Sequence, residues 1–168
     1  MPAPPPLPAN AAPPLAIVAL ALRDGLPIVG ANVSRDEARK VMREGPAAPG
    51  FDAEVPVDII DAQARSIQGS HCGELDAGTA RRMALAQVAR DQSMARAVQA
   101  NAGRGVVLLA GNGHVRTDAG VPRWLSPANR ARSEAIGLLE EGVPDEGRFD
   151  RVLHTATQPR PDPCAGQR

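Results

Sequence analysis

Tyrosine is absent from this chain, and one tryptophan and two phenylalanines complete its aromatic complement. Binding to single strands of nucleic acid relies on aromatic stacking platforms, so this scarcity argues against that class. Net charge is also missing. Nineteen basic and nineteen acidic side chains cancel, and a chain without a net field lacks the electrostatic footprint that draws phosphate backbones or anionic membranes. No nucleic-acid partner is expected. Cysteine occurs only at Cys72 and Cys164, enough for one bridge at most and for no disulfide framework. Cys72 reads as a small buried side chain. No apolar run is long enough to span a bilayer, and neither a Gly-x-Ser-x-Gly elbow nor a phosphate loop occurs, so the commonest hydrolase and nucleotide-binding signatures find no support.

Proline and glycine are plentiful, at 17 and 16 residues, and they punctuate the chain. Residues 1–14 hold seven prolines among alanines, which predicts a disordered or polyproline-like leader. One α/β domain is expected over residues 15–142, with residues 143–168, rich in proline, glycine and charge, as a flexible tail. At 168 residues a single domain can bury roughly 70% of its unfolded surface.

Within that domain the apolar run Leu15–Leu22 has no basic residue before it and reads as a buried first strand rather than a signal peptide. A second strand is expected at Ile28–Ala31 after the turn at Asp24-Gly25. Ser34 and Glu37 have the spacing of a capping box, predicting a helix to about Arg43. Ile60, Ala64 and Ile67 share a face of a short helix over residues 57–68, and Asp76 or Thr79 caps a long helix reaching about Ala102. A last strand is expected over Glu134–Glu140.

On the long helix, Ala80, Met83, Gln87, Arg90, Met94 and Val98 fall within about an 80° arc at helical spacing. An arginine and an amide therefore sit in an apolar stripe. Arg90 either pairs structurally with an acid from another element or holds an anionic group, with Met83 and Met94 offering soft surface to a flat cofactor.

The stretch from Val106 to Leu125 carries the most chemistry. Five apolar residues, Val106–Ala110, fit a strand covered on both faces, and ligands of open α/β sheets gather beyond the carboxyl ends of such strands. There the chain reads Gly111-Asn112-Gly113-His114, with the glycines permitting a sharp turn and close approach to a ligand. His114 would stand at the crevice rim with Arg116, Asp118 and Arg123 nearby, and Gly120-Val121-Pro122 would fix where Arg123 and Trp124 point. The plainer reading makes His114 a loop histidine bonded to a carboxylate. His71-Cys72-Gly73-Glu74 invites a metal reading, but adjacent ligands rarely share one zinc ion; a turn between helices, with His71 near the rim, fits better. His154 falls in the tail.

Gly-Asn-Gly-His-Val-Arg-x-Asp-x-Gly-Val-Pro-Arg, followed by an aromatic and a leucine, resembles the C-terminal signature of the ChaN-like haem-binding uptake proteins of the Tiki/TraB superfamily. Gly25–Asn32, His71-Cys72-Gly73, and the helix with Gln87, Ala89-Arg90-Asp91 and Met94-Ala95 agree in the same order. The resemblance spans roughly Val18–Leu139. It implies a central, mostly parallel sheet flanked by helices, and haem as cofactor. His114 becomes the candidate iron ligand, with Arg116, Arg123, His71, Arg90, Trp124, Gly111, Asn112 and Gly113 as candidate cofactor contacts. Family members begin with a strand ending in Gly-Glu-x-His, which has no counterpart upstream of Val18, so the chain resembles the C-terminal portion of the family domain. The family's iron is associated with tyrosine, whereas Trp124 stands where relatives often carry it. The resemblance also implies a cell-envelope setting, with a homodimer and envelope iron-uptake components as candidate partners, although no signal peptide or lipobox is visible. A metal-dependent hydrolase of the Tiki type, and a truncated paralogue without independent activity, stay open beside the haem-binding reading.

Overall fold

A computed structural model describes residues 13–166. The leader expected over residues 1–14 lies outside the described residues except for its last two. The chain divides into two compact units, Met1–Ala31 and Asn32–Arg168.

In the first unit, Leu15–Leu22 is helical and not a strand. It belongs to α1, Pro13–Arg23. An apolar run of eight residues fits either state by periodicity. Alanine and leucine dominate this one, and both are strong helix formers; the two prolines fall in the first turn, where no backbone donor is lost. The helix ends on Gly25, at φ 65°, with Leu26 N donating to Ala21 O and Gly25 N to Leu22 O, the paired bonds of a Schellman stop. The strand expected at Ile28–Ala31 does not form, since no ladder pairs it among the described residues.

The second unit is organised around one long helix. α2, Arg35–Glu44, starts on the expected capping box: Glu37 N donates to Ser34 Oγ and Ser34 N to Glu37 Oε2. α3 is Val57–Ser70 and α4 is Ala77–Asn101, the latter capped by Asp76, whose Oδ1 accepts from Thr79 N. Alanines on α4 let its neighbours approach closely. Ala86 and Ala89 pack with Ala38, Val41 and Phe51; Ala80 and Ala84 pack with Ala64 and Ile67; Val88 packs with Ile59 and Ala119. Ile59, Val41 and Val88 are the largest apolar side chains fully enclosed.

Beyond α4 the chain makes two short helices, α5 at Asn112–Val115 and α6 at Pro127–Arg130, and then a parallel pair of strands. β1, Ile136–Glu140, is the expected last strand; β2, Arg151–Thr155, pairs with it in register Ile136↔Arg151 to Glu140↔Thr155. The α/β class and the parallel sense therefore hold, in a sheet of two strands. Gly137 is needed there, because a Cβ would meet the Phe149 ring at 2.7 Å.

The strand expected at Val106–Ala110 is not one. The segment has no ladder partner, and Val107 is 93% exposed. A strand exists only by pairing. β1 bonds β2 along one edge, and at Leu138 its other edge is taken by the Asn112 side chain, which donates to Leu138 O at 2.6 Å and accepts from Leu138 N at 3.2 Å. Residues 143–168, expected as a tail, contain β2 and Cys164. Cys164 is bridged to Cys72, which is half-buried in a disulfide and not the small buried side chain expected. The bridge ties the α3–α4 turn to the C-terminal segment across 92 residues.

Candidate functional site

α4 carries a carboxylate where its packing face should be apolar. Asp91 follows Ala84 and Val88 at helical spacing and is fully buried. Its Oδ1 lies 2.6 Å from His114 Nδ1, and its Oδ2 accepts from Gln63 Nε2 at 3.3 Å. Gln63, on α3, occupies the buried ladder between Ile59 and Ile67 and also reaches Ala119 O at 3.2 Å. The buried acid thus has a partner on each oxygen, which is what makes its burial tolerable.

Burial raises the Asp91 carboxyl to about 6, against the opposing pull of its hydrogen bond from His114 and of that ring's charge. At neutral pH the group is mostly a carboxylate and can only accept. His114 must then donate from Nδ1, which leaves the Nε2 lone pair free. The His114 side chain is 23% exposed, enough for a ligand to reach it.

The backbone beside His114 is held by a glycine other than those expected. Gly111 has an ordinary φ of −64°, and neither Gly111 nor Gly113 would meet anything with an added Cβ. Open space beside them leaves room for a ligand. Gly120 is the restrictive position: its N donates to Arg116 O, and a Cβ there would press on the His114 carbonyl and lie 2.9 Å from Arg116 O.

The remaining candidates divide by their neighbours. Arg116 is 9% exposed and forks onto Asp118, Nε to Oδ1 at 2.8 Å and Nη2 to Oδ2 at 2.5 Å; that pairing holds the Asp118 carboxyl below its ordinary range. Arg123 Nη1 donates to Asp118 O and to Asp58 Oδ2. Asn112 is committed to β1. Trp124 packs against the Ile59, Val88 and Ala119 cluster, with its Nε1 buried and unpartnered. His71 is exposed at the end of α3, its Nδ1 2.8 Å from Ile67 O, and His154 is exposed on β2. Arg90 donates to Asn32 Oδ1 at 2.8 Å; the acid partner of the structural reading does not appear among the described residues. On the same stripe Gln87 Oε1 is buried without a donor.

Asp91 and Gln63 are the site residues that sequence reading missed as a pair. Their signal was present. Each is a polar side chain interrupting an i, i+4 apolar ladder, and the two ladders face each other. Among the described residues no group of three or more His, Cys, Asp and Glu side chains could hold a metal ion, so the three protein ligands of a hydrolytic zinc centre are not assembled there.

The haem-binding uptake family of the Tiki superfamily, ChaN, has a sequence model that matches residues 15–125. The chain belongs to that family. The matched region includes Gln63, Arg90, Asp91 and the whole Gly111–His114 turn, and it ends before β1. No curated protein and no solved structure matches the chain.

Proposed function

We propose that this ChaN-family chain binds haem and that His114 is its iron ligand, through Nε2. The observation that carries the reading is the buried Asp91 carboxylate on Nδ1. Metal-bound histidines commonly donate their second ring N–H to a carboxylate, which sets the tautomer and raises the basicity of the ligating nitrogen. An imidazole so oriented would suit haem iron as a ligand, and it answers the missing tyrosine.

The donor set fits the cofactor in one further respect. Arg90 is a half-buried cation that meets a neutral amide and no carboxylate among the described residues, so its charge is available to a carboxylate. When bound, haem would supply an iron and two propionates. This chain would supply the nitrogen, hold its tautomer and offer a cation. The Cys72–Cys164 bridge supports a location on the oxidising side of a membrane, in keeping with a role in haem or iron uptake.

Haemin titration of the full chain, followed at the Soret band, tests the reading against His114→Ala. Saturable binding that the substitution weakens supports it. Equal affinity and identical spectra for the two proteins would remove His114 from the site.

A further inference from the structure

A second set of cationic side chains converges away from His114. A pocket of about 330 Å³ is lined by Ala62, Arg65, Ser66, Arg116, Asp118 and Arg148. It includes neither His114, Asp91 nor Arg90. Its three guanidinium groups come from three places in the fold: Arg65 from α3, Arg116 from the loop after α5, and Arg148 from the segment before β2. Thr117 clamps the last two together, with its N and Oγ1 both donating to Arg148 O at 2.8 and 3.2 Å.

The charges do not cancel. Arg116 is forked onto Asp118, and Arg148 pairs with Glu146. Arg65 has no carboxylate partner among the described residues, so the pocket carries one excess positive charge in a chain whose net charge is zero. Ser66 adds a hydroxyl to the lining. Arg65 is therefore the uncompensated cation of the lining, and a bound anion would supply its missing partner.

We infer that this pocket binds a small phosphate-bearing molecule, independently of the His114 site. A planar carboxylate is satisfied by one guanidinium fork, as Asp118 is by Arg116. Guanidinium groups approaching from three separate segments suit a tetrahedral group with oxygens on several sides. Arg65, Arg148 and the unused Nη1 of Arg116 are the donors, and Asp118 holds Arg116 in place while its own charge is neutralised.

The test is calorimetric titration of the full chain with inorganic phosphate, ionic strength held constant with chloride. Saturable binding is expected, weakened at least tenfold by Arg65→Ala and by Arg148→Ala and unchanged in His114→Ala. Arg65 is exposed and has no carboxylate partner among the described residues, so circular dichroism of Arg65→Ala should match the wild type and exclude misfolding. Absence of saturable binding, or equal affinity in the Arg65 and Arg148 variants, overturns the proposal. So does tighter binding of succinate than of phosphate, which would assign the pocket to carboxylates. Loss of phosphate binding in His114→Ala would overturn its independence.

Discussion

The α5 turn and the α3–α4 turn each present a histidine after glycine or serine, and both motifs stand out in the sequence. What separates them is the group that Nδ1 meets. At His114 it is the buried Asp91 carboxylate; at His71 it is the Ile67 carbonyl, which makes that ring an exposed cap on the end of α3. A carboxylate seated in an alanine-packed core orients a ring firmly, whereas a cap merely satisfies a helix end. The comparison teaches that a histidine is assigned to a site by its neighbours and not by its flanking glycines.

The comparison breaks first at His114. His114→Ala should lower haem affinity by more than about 100-fold, because removing the ligand exceeds the 10–100-fold typical of losing its orienting partner. It also leaves one Asp91 oxygen unpaired, at a cost of about 1–3 kcal/mol, which chemical denaturation would read while circular dichroism confirms a folded chain.

Asp91→Asn comes next. It keeps the shape but leaves one acceptor oxygen for two donors; with that oxygen kept by Gln63 Nε2, the amide NH2 faces His114 Nδ1 and disfavours its N–H tautomer, and haem affinity should fall about 10–100-fold. The same variant isolates a pH effect. Asp91 is raised to about 6 in the folded chain from an ordinary value of 3.8, so the folded state binds the proton more tightly than the unfolded one. Its contribution to stability is present below about pH 4 and is lost as pH rises through about 6, by at most about 3 kcal/mol. Urea melts between pH 4 and 7 should show this fall in the wild type and its absence in Asp91→Asn.

Gly120→Ala should act on His114 from the backbone side. The new methyl presses on the His114 and Arg116 carbonyls. A destabilisation of about 1–3 kcal/mol is expected, with a loss of haem affinity smaller than that of Asp91→Asn. His71→Ala is expected to do least: haem affinity within about twofold and a stability cost of about 0.5–1.5 kcal/mol for the lost bond. A large loss of haem affinity in His71→Ala would erase the distinction between the two turns.

Much of the helical frame was legible because its signals are local. Ser34 and Glu37 cap α2, Asp76 caps α4, and the Ile60, Ala64 and Ile67 spacing marks α3; each depends on residues within a turn or two of one another. The strands were not legible in the same way. Val106–Ala110 and Ile136–Glu140 are both short apolar runs, yet only the second is a strand, because pairing depends on what another segment offers. α1 was misread for a related reason: an unbroken apolar run has no period to betray its state.

The amino-acid order alone determined the family, the approximate extents of α2, α3 and α4, and His114 as the leading candidate, since each rests on residue types at short, fixed spacings. Only the tertiary structure decided that Asp91 and Gln63 stand behind His114, that Cys72 meets Cys164, that Arg65 joins Arg116 and Arg148, and that the sheet pairs β1 with β2. These contacts join residues 23 to 92 positions apart in the chain, or segments whose pairing no local pattern specifies. Burial then sets their chemistry, raising a carboxyl here and enclosing a guanidinium there, and burial belongs to the assembled chain.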